Sequence, residues 1–331
     1  MVVPGSIPNM MRSFANFNFR YFAVMITIPH KAKQFAVFII KLLIVAAAFY
    51  FIYDQLAHND QLDWEKFTAL LRKKQSVWGI LFLLSFSVAN RYLEILKWQN
   101  LVSFLKPISA AESTKQVLGA LTAGIFTPNG LGEYAGKALY FEKTKTKKII
   151  FLNLICNGIQ MVLTILFGTI GLFVLGYWQW ASAILLLAVF FYLISIVSKN
   201  IKVKGYSIQR LTHKINEIPK HIHQKNIVLA ILRYLVFSHQ YYFLFLAFDV
   251  DLPYLTMMST IATVYFLASS LPSFQFLDFA VKGSVAVFFF GELGVNEWIV
   301  VFISTLMWFL NVVLPVVIGS YYVLKFKPKW K

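Results

Sequence analysis

The sequence predicts an all-α polytopic membrane protein with about six spanning helices and two re-entrant helical hairpins arranged as an inverted repeat. Three observations carry this reading. The 331 residues are 59% hydrophobic and only 14% charged, with a mean hydropathy of +0.66, whereas soluble domains run at about 45–50% apolar. Several runs reach the length of about 20 apolar residues that a bilayer crossing requires. Two further apolar stretches are interrupted, at matching places, by proline and charge.

The elements follow in order. Residues 1–34 carry Arg12, Arg20, Lys31 and Lys33 with no continuous apolar run ending in a small-residue cleavage site, and read as a basic cytoplasmic arm. Spans are expected at 35–53 and 77–98. Between them, 62–74 sets Trp64, Phe67, Leu70 and Leu71 among charges, as an interfacial amphipathic helix does. The stretch 109–141 is split at Thr127-Pro128-Asn129-Gly130. Spans then follow at 149–176, 180–198 and 226–248. The stretch 255–291 is split around Leu271-Pro272-Ser273, a last span covers 297–322, and a basic tail fills 323–331. Each split stretch accommodates two short helices, read as a membrane-embedded hairpin; two full crossings would leave the topology unchanged. One membrane domain, 35–322, thus divides into repeats 35–176 and 180–322.

A net charge of +17 raises the question of nucleic acid. The basic residues flank apolar runs instead of decorating a polar domain, so they read as topology determinants, and no nucleic-acid partner is expected. Lys143, Lys145, Lys147 and Lys148, the lysine-rich loop between 199 and 225, and the tail are assigned to the cytoplasm. The turns 177–179, 249–253 and 292–296 hold no Lys or Arg and face out. Both termini are then cytoplasmic, in the plasma (inner) membrane. Arg72, Lys73 and Lys74 oppose this assignment. The first repeat starts inside and the second outside, which makes the two copies inverted and brings their broken tips toward the midplane, where inverted-repeat transporters hold substrate.

The two breaks carry the candidate site. Pro128, Gly130, Gly132, Glu133 and Lys137 are echoed by Pro272, Asp278 and Lys282, with acid and lysine four residues apart in both. On a helix, that spacing puts opposite charges on one face. The glycines before Glu133 permit a sharp turn and expose backbone N–H groups, and Glu133 opens a half-helix where an acid meets the positive end of the dipole. Ionisable groups at membrane depth are costly and default to function. The lysines suit a lipid phosphate, aided by half-helix N-termini aimed at the same anion. Arg91, three residues before Glu94, and Arg233 either form intrahelical or snorkelling contacts or line a cytoplasmic entrance for an anionic headgroup.

Other chemistries find less support. Cys156 lies alone in an apolar run and reads as a small hydrophobe. His239, beside Gln240, Tyr241 and Tyr242, reads as a hydrogen-bonded helix contact, with proton relay as the alternative. Glu217, His221 and His223 lack metal-ligand spacing, and no phosphate-binding Gly-Lys-Ser/Thr loop or Gly-x-Ser-x-Gly elbow is present. Neither metal nor cofactor is expected.

The run from Phe126 through Pro128, Gly132 and Glu133 to Lys137 resembles the Pro-x-x-x-Gly-Glu-x-x-x-Arg signature of the lysylphosphatidylglycerol synthase transmembrane-region family, the flippase-like integral membrane proteins. Leu271-Pro272 through Lys282, with Gly294-Val295 and Leu314-Pro315-x-x-x-Gly319, resembles that family's second block and final helix. The resemblance covers about 35–322 and implies a flippase-like fold with two re-entrant elements. Lys137 stands where the family usually has Arg, and Gly283 where it tends to carry Glu. No polar globular segment follows Tyr322, so the aminoacyl-transferring domain of some members, and lysyl-lipid synthesis, are not expected.

The expected function is translocation or presentation of an anionic or modified lipid, a phospholipid or polyprenyl-phosphate carrier, with membrane lipid as partner and a lipid-modifying enzyme as a further one. Two alternatives stand beside it: an integral transferase using Glu133 or Asp278 as base, and a non-catalytic membrane subunit.

Overall fold

The computed structural model describes residues 77–125, 127–199, 201, 207–271, 273 and 278–326; of Val77, Asp278 and Leu324 it describes the backbone. The expected arm, the span at 35–53 and the amphipathic segment at 62–74 lie outside these residues, as do Pro272 and the end of the tail. No β-strand occurs among the described residues, and five helical segments are long and apolar enough to cross a membrane.

Helix α1 (Val77–Val102) extends the expected second span by a turn and carries Arg91, Glu94 and Lys97 within its length. The first split stretch forms α2 (Ala110–Gly124) and α3 (Leu131–Ala138). At 1.5 Å per residue these helices are about 22 and 12 Å long, and neither crosses a hydrocarbon core of about 30 Å. Ser109 caps α2 by accepting the Glu112 N–H at 3.1 Å. The two helices fold back on one another through small residues. A Cβ on Gly136 would lie 2.9 Å from Ala120 Cα, and one on Gly132 2.9 Å from Gly124 Cα.

Helix α4 (Thr146–Val174) and helix α5 (Trp178–Val197) are the next spans. α5 is apolar all round and almost wholly exposed, as a lipid-facing helix is. The region read as a lysine-rich loop carries helical structure. It contains α6 (Ile208–Asn216), capped by Ser207, and helix α7 (Lys220–Ala247) begins six residues ahead of the expected position. Pro219 precedes α7, and its fixed φ suits a helix start. The second split stretch gives α8 (Tyr254–Ser270) and α9 (Asp278–Gly291). The last span runs from α10 (Glu297–Trp308) through a π-helical segment (Phe309–Val313) into α11 (Leu314–Leu324).

The two halves meet reciprocally. α1 packs on α7, α4 on α8, and α11 on α2. Association of helices in lipid relies on close packing and interhelical hydrogen bonds, so small residues mark the contacts. Gly168 and Gly171 of α4 admit Phe266 and the Ser259 carbonyl of α8, and Gly319 of α11 admits Leu118 and Thr122 of α2. Thr122 Oγ1 also donates to the Val316 carbonyl at 3.1 Å.

Candidate functional site

The first break is held by its own backbone. Asn129 and Gly130 have φ of 47° and 67°, the left-handed region that Gly enters freely and Asn tolerates. Thr127 Oγ1 receives the Gly132 N–H at 2.8 Å. The N–H groups of Gly130, Leu131 and Glu133 go to the carbonyls of Thr127, Pro128 and Gly130, and that of Asn129 goes to Ser273 of the second break at 2.8 Å. Every amide from Asn129 to Glu133 therefore has an acceptor. The expectation that this turn offers N–H groups to an anion does not hold in this conformation.

Glu133 is 7% exposed and packs over Gly124, where an added Cβ would lie 2.7 Å from its Cγ. Lys137, on the same short helix, is fully buried. Its ammonium donates to Asn153 Oδ1 of α4 at 2.7 Å and lies 4.7 Å over the Trp98 ring of α1. Trp98 in turn donates to Gln116 Oε1 at 2.7 Å. The residue before Trp98 on α1, Lys97, donates to the Cys156 carbonyl at 3.1 Å and to Gln160 Oε1 at 3.2 Å. Cys156 is buried and packs in the apolar core with Trp98, Ile149 and Leu152.

Arg91 and Arg233 share one acid. Arg91 meets Glu94 at 2.5 Å, the intrahelical pair read from spacing, and Arg233, from α7, meets the same carboxylate oxygen at 3.2 Å. Two guanidinium groups, from α1 and α7, thus share one carboxylate, and Lys97 follows Glu94 by one helical turn on α1. A polar ladder continues the site: Arg233 donates to Asn90 Oδ1, Asn90 to Asn311 Oδ1, and Asn311 to Gln240 Oε1, while Gln240 reaches Ser87. Arg91 also donates to the Asn311 carbonyl. That carbonyl is released because Pro315, four residues on, has no N–H to give it. The π-helical segment sits at this point, and such segments are frequent at functional sites.

The second break brings less that is describable. Lys282 lies 5.0 Å over the Tyr265 ring. It lines a cavity together with Phe237, Tyr241, Trp308 and Asn311, so this lysine and the polar ladder border one space. The side chain of Asp278 and all of Pro272 lie outside the described residues. His239 bridges helices, meeting the Leu235 carbonyl and Tyr254 Oη at 2.8 and 2.9 Å. Glu217 pairs with His213, and His223 reaches the Ile215 carbonyl.

Sequence reasoning missed Asn90, Gln116, Asn153, Gln240 and Asn311. Each is an uncharged amide within an apolar run. Pro315, read only as part of the final-helix resemblance, was the available signal for Asn311.

An apolar bundle with broken helices and a buried charge cluster defines a multi-pass α-helical membrane protein. The chain matches the lysylphosphatidylglycerol synthase TM region over residues 38–274, well over half its length, and belongs to that family. Membership associates it with lipid modification. No curated protein matches the chain significantly.

Proposed function

We propose that this protein is a flippase-like carrier that moves, or presents across the bilayer, an anionic or modified lipid. The observation that carries this reading is the sharing of Glu94 by Arg91 and Arg233, with Lys97 and Lys137 also buried in the same apolar bundle, beside a broken helix. Charges there are costly to maintain, and an excess of cations suits the passage of an anionic headgroup. The join between the two breaks and the reciprocal contacts of the two halves support an inverted repeat, the architecture that places substrate at broken helices. The plasma membrane is the proposed location, with both termini cytoplasmic, and a lipid-modifying enzyme is a proposed partner that would supply or consume the lipid.

The test uses purified protein in proteoliposomes containing fluorescent phosphatidylglycerol. Glu133→Gln and Arg233→Gln are each expected to slow translocation while leaving the lipid chemically unchanged. Conversion of the lipid, abolished by Glu133→Gln, supports a transferase instead. Absence of both movement and conversion, with cellular function surviving both substitutions, supports a non-catalytic subunit.

A further inference from the structure

Two buried amides, Asn153 on the Lys137 ammonium and Gln116 on the indole that lies against it, hold hydrogens that nothing among the described residues receives. Gln116 and Asn153 are both 0% exposed, and among the described residues neither Gln116 Nε2 nor Asn153 Nδ2 has a hydrogen-bond partner. What each amide oxygen meets fixes the orientation of the group. The indole Nε1 of Trp98 only donates, and it reaches Gln116 Oε1; the Lys137 ammonium only donates, and it reaches Asn153 Oδ1. Turning either amide over would set donor against donor, so the two NH2 groups remain unmatched. Buried donors are rarely left so, because each costs free energy until something accepts it.

The same four side chains come from four helices and touch in sequence: Gln116 of α2, Trp98 of α1, Lys137 of α3 and Asn153 of α4. Lys137 carries three N–H groups, of which Asn153 receives one. The unfilled capacity on offer is an ammonium and two amide NH2 groups.

We propose that Lys137, Gln116 and Asn153 form a buried coordination site for a phosphate oxyanion. The ammonium supplies charge, the amides supply neutral donors, and Trp98 positions the ammonium. A cationic group is excluded by Lys137 and by buried Lys97, the neighbour of Trp98 on α1. A water accepts hydrogen bonds but brings no negative charge to Lys137, whereas phosphate presents several charged acceptor oxygens and makes charge-assisted bonds. The inference rests on the reading that the chain handles an anionic lipid, and it narrows that reading to the phosphate. The phosphate can come from a lipid headgroup or from free inorganic phosphate.

Two substitutions test it without removing the existing contacts. Asn153→Asp and Gln116→Glu each keep an oxygen for Lys137 or Trp98 and replace the unmatched NH2 with a carboxylate oxygen. The full chain in a phosphate-free maltoside detergent is titrated with dihexanoyl phosphatidylglycerol, with inorganic phosphate and with a phosphate-free diacylglycerol, and binding is read by calorimetry. Each variant is expected to weaken phosphate-bearing ligands by at least about tenfold, as loss of a hydrogen bond to a charged group implies. Asn153→Asp should keep or raise thermal stability, since it gains an ion pair with Lys137. Binding of inorganic phosphate assigns free phosphate as the source; binding of the lipid alone assigns the headgroup. Folded variants that bind within about twofold of the parent overturn the site. A parent that prefers neither phosphate ligand over diacylglycerol also overturns it, and decides the matter if both variants fail to fold. Phosphate binding lost in the variants while the parent moves no lipid would keep the site and reject transport. Unchanged lipid movement and binding in the variants would reject the site and keep transport.

Discussion

Asn129 holds Ser273 by two hydrogen bonds across 144 residues of sequence: its N–H donates to the Ser273 carbonyl at 2.8 Å, and its Oδ1 accepts the Ser273 N–H at 3.0 Å. The tips of the two broken segments are thereby joined. Neither residue is charged, so the join depends on backbone placement and one amide side chain.

That contact can be separated into its parts. Asn129→Gly keeps the left-handed φ of 47° and loses the side-chain bond, whereas Asn129→Ala loses the bond and adds backbone strain of roughly 1–2 kcal/mol. Thermal unfolding in detergent should rank Ala below Gly, and the reverse order would reject the geometry. With Cys156→Ala, the pair Asn129→Cys and Ser273→Cys should form a disulfide, because one backbone hydrogen bond brings the Cα atoms into the window of about 4.4–6.8 Å. The oxidised protein should stop moving lipid, and reductant should restore it.

Glu94 is the shared acid of Arg91 and Arg233, and its loss leaves two guanidinium groups facing each other in low dielectric. Glu94→Gln should cost about 3–5 kcal/mol. Arg233→Gln should cost less, since Arg91 still matches Glu94. Equal losses in chemical denaturation would show that the two ion pairs are not shared in this way.

Pro315 frees the Asn311 carbonyl for Arg91. Pro315→Ala returns an N–H able to bond that carbonyl within the helix, so it should stabilise the last span while weakening the hold on Arg91. The expected signature is an unchanged or higher melting temperature with reduced lipid movement. A parallel fall in both would mean that the π-helical segment serves packing alone.

Gly124 admits Glu133, and an added Cβ would lie 2.9 Å from the Glu133 amide nitrogen. Backbone gives way poorly, so Gly124→Ala should destabilise by about 1–3 kcal/mol. Gly158→Ala is the control, because nothing lies within 4 Å of its Cβ position. Comparable losses at the two sites would reject close packing of the first hairpin.

The proposed orientation has its own check. In intact cells lacking Cys156, a cysteine at position 210 should resist an impermeant thiol reagent, and one at 251 should react. Labelling of both from outside would invert or break the proposed topology.

Much of the fold was legible in the sequence. Apolar runs of sufficient length marked α4, α5 and α7, and Pro128 with Gly130 marked the break between α2 and α3, because proline removes an N–H and glycine permits positive φ. Helix ends were less legible. α7 starts at Lys220, among charges that read as loop, because Pro219 and contacts with α1 outweigh the polar composition.

The candidate site divides along the same line. Arg91 and Glu94 lie three residues apart, and helical geometry alone brings them together. Lys137 and Glu133 were legible as buried charges beside a break, but the ammonium's partners, Asn153 and Trp98, lie on other helices.

The sequence by itself determined the membrane class, the breaks and the positions of the charges, because bilayer thickness, proline chemistry and helical spacing act locally. Only the tertiary structure decided that Arg233 joins Glu94, that Asn311 lends a carbonyl, and that Ser273 meets Asn129. Amides and carbonyls carry no periodic signal along a helix. Their partners are chosen when the helices pack, since in lipid a buried donor has no water to fall back on.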